Sequence, residues 1–386
     1  MELTSPAIFE LGLVLLLAAL AGWVARALHL PAVVGYLAIG LVLSPFTPGY
    51  VADRAQLTFL ADVGVVLLLF EVGIEIDLAR LRRDHGAIAW LAPLQVLVTT
   101  SVGAAALMLA GVPPLGAILV GLGVAMSSSV VIVNITRSRR RTTAPDTEAA
   151  LLGWSIFQDI TGVAIAAVVL AFAGAANRPI ELAAAGAVAF AIVTVAAAWL
   201  LPRLLRAIEG DDLLLIVSVG VGLAIAGVGA LVAGIPLALA AFAAGLVIEG
   251  PEAAAVRRRL LPFRDVFAVL FFVLLGTLID PAALGRGLGW LALLVILLIA
   301  AKVVVAAVFA RAMRLRADSG QLAVGLGQAG EFSFVLASAG VGLGLITDDL
   351  FAAVLGLVVL SIVASTTMVR RVGSNARGAS APAAGQ

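Results

Sequence analysis

The sequence predicts an all-α polytopic membrane protein with thirteen transmembrane helices, an inverted-topology repeat and two discontinuous helices. Three observations carry this. Of 386 residues, 63% are hydrophobic and 12% charged, with a mean hydropathy of +1.18, a composition suited to lipid. The basic residues alternate from loop to loop, and the chain matches itself at offsets of 203 to 205 residues. Forty glycines with abundant Ala, Leu and Val suit close-packed helices, whereas membrane strands would be short runs of alternating polarity.

A window of about 20 residues places spans at 7–27, 32–44, 57–77, 86–110, 113–135, 149–173, 181–205, 212–232, 236–249, 263–280, 288–311, 320–342 and 349–369. The first has Glu2 in front and Arg26 behind, the reverse of a signal peptide's basic start, so it reads as a retained helix. The second and ninth are short enough to be re-entrant. Counting them as crossings keeps the basic residues in register: loops after odd-numbered helices carry twenty of the 24 Lys and Arg, and loops after even-numbered helices only Arg54, Arg178 and Arg286. The positive-inside rule then sets the N-terminus outside and the C-terminus in the cytoplasm. After the thirteenth helix, residues 370–386 read as a disordered cytoplasmic tail with no soluble domain.

The self-match has three parts. "PAVVGYLAIGLV" from Pro31 aligns with "PLALAAFAAGLV" from Pro236, "VGIEIDLARL" from Val72 with "LGTLIDPAAL" from Leu275, and "GLGVAMSSS" from Gly121 with "GLGQAGEFS" from Gly325. The offset spans seven helices, an odd number, so the copies face opposite ways. Repeat 1 covers about 7–173, a linker helix about 181–205, and repeat 2 about 212–369. Inverted repeats are a frequent construction of secondary transporters, with the site near midplane.

The third match also marks the broken helices. Gly121, Gly123 and Ser127, Ser128 and Ser129 lie at depth in the fifth span, and Gly325, Gly327, Gln328, Gly330 and Glu331 in the twelfth. Glycine weakens a helix interior by about 1 kcal/mol, and unwound backbone at depth must line a cavity or be buried in protein. In the sixth span, "WSIFQDITGVAI" sets Asp159 beside Gln158, about 15 Å deep at 1.5 Å per residue. A carboxylate there costs roughly 2.5 to 3.5 kcal/mol on insertion scales, so an ionisable residue at this depth marks a site. Lys302, the chain's sole lysine, and Glu331 lie near the same level. Glu331 also fits the plainer role of neutralising half-helix N-termini, and Lys302 that of balancing a carboxylate or a helix C-terminus. Glu71, Glu75 and Asp77 suit boundary salt bridges near Arg80 and Arg82, with Glu71 deep enough to line an inner funnel, and Asp62 an outer one.

"LLLFEVGIEIDL", "MSSSVVIV", "WSIFQDITGVAI", "FFVLLGTLID" and "GLGQAGEFSFVL", in this order, resemble the second branch of the monovalent cation:proton antiporters, with its Kef-type potassium efflux systems and Nap-type sodium/proton antiporters. The resemblance covers residues 7 to 370 and implies the sodium/proton antiporter fold: a homodimer whose core domain moves against a dimerisation domain, with the fifth and twelfth helices crossed at their breaks. It implies that Asp159 binds cation and proton by turns, with Lys302 as the basic residue on the helix beside it. Nap-type members commonly carry Asp or Asn before the binding aspartate. Here Gln158 stands there, as in Kef-type members, which tilts the ion towards potassium, leaves sodium open and makes one-for-one exchange plausible. The nucleotide-binding domain of Kef-type systems has no counterpart after the thirteenth helix, so gating by it is not carried over.

The expected function is thus secondary antiport of a monovalent cation, K+ before Na+, for protons at a single midplane aspartate. The alternative is a cation channel or regulated efflux pathway in which the same carboxylate lines a pore; no filter-like loop supports it. An anion carrier lacks a midplane arginine. An enzyme is not expected, because no cysteine is present and neither His29 nor His85 shares the depth of the serines. No cofactor is expected beyond the transported ions, and the only metal is the monovalent cation at Asp159. Expected partners are the ions, the lipid bilayer of the inner (plasma) membrane, a second copy of the chain and a separate cytoplasmic regulator docked on the arginine-rich loops, without nucleic acid.

Overall fold

The computed structural model describes residues 4–28, 30–46, 54–75, 86–137, 142–175, 180–207, 211–233, 237–248 and 251–379. Helices fill the predicted windows: α1 (Thr4–Ala27), α2 (Ala32–Val42), α3 (Arg54–Glu75), α4 (Ile88–Leu109), α5a (Pro114–Ala125), α5b (Ser129–Arg137), α6 (Pro145–Ala175), α7 (Ile180–Ala207), α8 (Asp211–Val228), α9 (Leu237–Leu246) and α10 (Pro251–Thr277). A short turn of helix, Pro281–Arg286, leads into α11, which is helical over Leu288–Leu297, widens to a π-helix over Leu298–Val303 and resumes over Val304–Ala312. The chain then forms α12a (Ser319–Leu326), α12b (Glu331–Gly342) and α13 (Asp348–Ala379). Seven of the described helices are long and apolar enough to cross a membrane unaided. By contrast α2 and α9, at 11 and 10 residues, are about 16 Å long, half a hydrocarbon core.

Local chemistry sets many boundaries. Pro145 opens α6, with Asp146 and Glu148 in the first turn facing the positive helix end. Asp318 caps α12a by accepting from Gln321 N at 2.7 Å. Past the ends of α4 and α12b, Gly111 and Gly344 take φ of 93° and 68°, a conformation that favours glycine. One boundary departs from expectation. The tail predicted to be disordered from residue 370 continues α13 to Ala379, and 380–386 lie outside the described residues. A 22-residue helix is already nucleated at that point, so Arg370 and Arg371 are added at low cost and Gly373 and Gly378 at about 1 kcal/mol each.

The helices form two compact units, one of residues 1–78 and 167–280, the other of 79–166 and 281–386, and the chain passes between them inside α6. These spatial units do not follow the sequence division into repeat 1, linker and repeat 2, since each takes helices from both repeats.

The first unit holds α1–α3 and α7–α10 around a core that includes Val66, Phe70, Ile225, Ala241 and Leu260. Close backbone approaches organise it. A Cβ on Gly40 of α2 would lie 2.6 Å from Gly276 Cα of α10, and one on Gly245 of α9 would lie 2.8 Å from Gly73 Cα of α3. These contacts are swapped copies, because 40 maps to 245 and 276 to 73 by the repeat offsets. The crossing of α3 with α10 sits on the same relation, with Gly64 against the Phe267 carbonyl. A contact and its swapped copy are what a twofold relation between repeats produces. Glu71 of α3, 1% exposed, lies in this unit. Arg257 Nε donates to Oε1 at 2.5 Å and Arg264 Nη1 to Oε2 at 2.8 Å. The expected pairing with Arg80 and Arg82 falls on residues outside the described ones, as does Asp77. With both oxygens held by arginines of α10, Glu71 forms the ion pair expected of it, with other partners, because the favourable place for a buried charge is against an opposite one. Asp62 is exposed on α3.

The second unit holds α4, α5, most of α6 and α11–α13 around Ile132, Leu151, Trp154, Ala306 and Leu322. It contains every candidate site residue except Glu71 and Asp62.

Candidate functional site

The two interruptions expected in the fifth and twelfth spans are present. Helix α5a stops at Ala125, Met126 is extended with φ −88° and ψ 141°, and α5b starts at Ser129. Helix α12a stops at Leu326 and α12b starts at Glu331, with Gly327–Gly330 unwound between them. Glycine placement differs from a simple reading of the sequence. Gly121 and Gly123 stay helical and admit neighbours, Gly123 lying against Ser333, while the unwound stretch of α5 is Met126 to Ser128.

The breaks cross and satisfy each other. Gly330 N donates to Met126 O at 3.2 Å, and Ser127 Oγ to Leu326 O at 2.8 Å. Gln328 reads the Ser128 backbone with both ends of its amide: Oε1 accepts from Ser128 N at 3.2 Å and Nε2 donates to Ser128 O at 3.1 Å. Gly330 is required here, since a Cβ would lie 2.8 Å from Ser127 C and Ser128 N. Backbone that has left the helix ladder thus finds partners in the other break, the condition for irregular chain at membrane depth.

Lys302 joins the crossing from α11. Its side chain is fully buried, and Nζ donates to Met126 O at 2.9 Å and Gln328 O at 2.6 Å. Both carbonyls follow the C-terminal ends of half-helices, where the peptide dipoles concentrate negative charge, so an ammonium belongs there. Asp159 lies near enough to act on the Lys302 ammonium electrostatically. Asp159 is 1% exposed and Gln158 fully buried. Helix α6 lies close against the α5 break: a Cβ on Gly162, one turn after Asp159, would come within 2.3 Å of Met126 Sδ.

Asp159, Gln158, Lys302, Ser127, Ser128 and Gln328 are therefore all buried in one unit. The hydroxyl of Ser127 and the amide of Gln328 are engaged in the crossing, so these two act as break residues. Ser128 Oγ accepts from Val131 N, capping α5b, and Ser129, the first residue of α5b, is half-buried. Glu331 is the first residue of α12b, where an acidic residue favours the positive helix end; its side chain lies outside the described residues.

Sequence reasoning missed Gln95 and Thr99 of α4. Gln95 is fully buried and touches Trp154, Gln158, Thr99 and the Ala125 carbonyl; Thr99 Oγ1 donates to Ala301 O at 2.5 Å. The signal was available, since a glutamine midway along an apolar span is as anomalous as Gln158.

Two solved structures share this architecture. The structure of the sodium proton antiporter MjNhaP1 from Methanocaldococcus jannaschii at pH 8 matches with a TM-score of 0.74 at 18% identity, covering 97% of this chain and 99% of that one. The electron-microscopy map of the same antiporter gives 0.71 at 18%, covering 99% and 100%. At such identity the likeness shows the fold. The family follows from the sequence itself: matched over residues 14–373 by the model of the transmembrane sodium/hydrogen exchangers, this chain belongs to the sodium/hydrogen exchanger family.

Proposed function

We propose that the protein exchanges a monovalent cation for a proton at Asp159, one for one, and prefers potassium to sodium. The observation that carries the reading is a buried carboxylate, Asp159, in the unit where two broken helices cross, next to a neutral amide and across from a lysine engaged with backbone carbonyls. A carboxylate in that setting needs a cation or a proton as companion. Cation and proton compete for the same oxygens, so binding of one releases the other, and alternating exposure to the two sides of the membrane turns that competition into exchange. No group in this scheme makes or breaks a covalent bond other than to a proton, so the protein acts as a transporter rather than an enzyme.

The potassium preference rests on ligand charge. Sodium holds its water more tightly than potassium, and stripping it demands more negative charge from the site. Asp159 has a neutral neighbour, Gln158, where Nap-type antiporters commonly place Asp or Asn; MjNhaP1 is a sodium proton antiporter, which keeps sodium as the competing ion. The resemblance also supports a homodimer, and the alternation of basic loops a plasma-membrane orientation with the N-terminus outside, to be checked by mass determination in detergent and by accessibility of cysteines placed at the two ends.

The test is collapse of an imposed pH gradient in proteoliposomes on adding K+ or Na+, with wild type and Asp159→Asn. Cation-dependent proton movement is expected in wild type, at lower concentrations of K+ than of Na+, and none in the variant although it remains folded. Full exchange by Asp159→Asn, or cation flux without proton movement, would overturn the reading.

A further inference from the structure

Gln95 lies on α4, away from the helix that carries Asp159, and is fully buried with every hydrogen-bonding position engaged. Its Nε2 donates to Thr99 Oγ1 at 2.9 Å and to the Ala125 carbonyl at 3.4 Å, and its Oε1 accepts from Trp154 Nε1 at 3.3 Å and from Gln158 Nε2. An amide can in general be turned over, exchanging oxygen for nitrogen, but this one cannot. The Trp154 indole is a donor only and demands the oxygen. The Ala125 carbonyl is an acceptor only and demands the nitrogen. The Thr99 hydroxyl spends its single hydrogen on Ala301 O, leaving it only able to accept from Gln95.

With Gln95 locked at both ends, its oxygen obliges Gln158 to present Nε2. The Gln158 oxygen is then turned the other way, and although Gln158 is fully buried, that oxygen has no hydrogen-bond partner among the described residues. A buried amide oxygen without a partner is costly, roughly 1–3 kcal/mol, unless something positive occupies it for part of the cycle.

We infer that Gln95 is a positioning residue for the transported cation: it fixes the flip of Gln158 so that the site beside Asp159 offers a neutral oxygen, not an N–H group, to a dehydrated monovalent ion. The inference rests on Asp159 being the exchange site. A turned-over Gln158 would point hydrogens at the cation, so the lock decides how well the site holds it. Trp154 and Thr99 take part only by holding Gln95.

The test measures the apparent KM for K+ and for Na+, and the maximal exchange rate, in proteoliposomes. The variants are wild type, Asp159→Asn, Gln95→Met, Trp154→Phe, Gln158→Met and the double variant Gln95→Met/Gln158→Met. Gln95→Met is expected to raise the cation KM about tenfold, the lower end of what loss of an outer partner costs at metal sites, with the maximal rate much less affected. Trp154→Phe removes one of the three groups that orient Gln95 and leaves Thr99 and the Ala125 carbonyl in place, so it should move KM in the same direction by less. The double variant should match Gln158→Met, because Gln95 acts through that amide. A role confined to packing would lower the active fraction and leave KM where it was. An unchanged KM in Gln95→Met while Asp159→Asn is inactive, or effects that multiply in the double variant, would overturn the inference and leave the site at Asp159 standing. Exchange by Asp159→Asn would remove both. Should Gln95→Met fail to fold, the double variant Trp154→Phe/Thr99→Val decides in its place: only the 3.4 Å contact to the Ala125 carbonyl is then left to orient the amide, and an unchanged KM overturns the inference.

Discussion

Lys302 shows how a single side chain holds two elements. Its ammonium donates to Met126 O and Gln328 O, carbonyls that no helix ladder satisfies, at the point where α5 and α12 cross. Lys302→Met would take from Gln328 O its described donor and leave Met126 O with Gly330 N alone. At about 1–3 kcal/mol for a buried unsatisfied group, the variant should lose about that much, read as a lower denaturation midpoint in detergent. Lys302→Gln keeps N–H donors without charge and should lose less; equal losses would mean that the helix-end charge, not the hydrogen bonds, holds the crossing. At this scale the sequence was legible wherever a charge stood out against lipid. Asp159 and Lys302 are conspicuous for that reason, and so was Glu71, whose expected ion pair is present with other partners, since Arg257 and Arg264 are 186 and 193 residues away and reach it only through the packing of α3 on α10. Gln95 carries no charge, and its importance lies in four partners brought together from α4, α5a and α6.

Glycine and serine runs announced the breaks of α5 and α12, yet which residues unwind was not readable from them. Gly121, Gly123 and Gly325 remain helical because their bareness is used for contact, as with Gly325 against the Leu151 side chain, while Met126, with a full side chain, is extended. The π-helix over Leu298–Val303 left no sequence mark at all; the Ala301 carbonyl within it is taken up by Thr99 of another helix. The contacts separate two glycines that look alike in sequence. A Cβ on Gly330 would strike the backbone of Ser127 and Ser128 at 2.8 Å, which moves only if the crossing opens, whereas a Cβ on Gly162 would meet the flexible end of Met126. Gly330→Ala should therefore lose about 2 kcal/mol, within the 1–3 kcal/mol typical of overpacking, and Gly162→Ala clearly less. Thermal midpoints of the two purified variants make the comparison, and equal losses would contradict the role given to the crossing backbone.

Across the whole molecule, the repeat was legible because its glycines are used twice, Gly40 against Gly276 and Gly245 against Gly73. The division into two units was not, because a spatial unit built from both repeats leaves no boundary in sequence. That division assigns the charges: the Glu71 ion pairs belong to one unit, while Asp159 and Lys302 share the other. On the proposed reading Asp159 is the group that exchanges its companion, while Lys302 stays with its two carbonyls. An aspartate carrying a potassium ion and an aspartate carrying a proton have the same net charge, so on that reading each half-cycle moves no charge across the membrane. Rapid cation jumps on proteoliposomes adsorbed to a supported membrane should then give pH-gradient collapse with no sustained current, and exchange rates should be the same with the membrane potential clamped or free. A sustained current that vanishes in Asp159→Asn would show that a second group titrates with each turnover. Lys302 would be the residue to examine, because among the described side chains of this constellation it is the other titratable group.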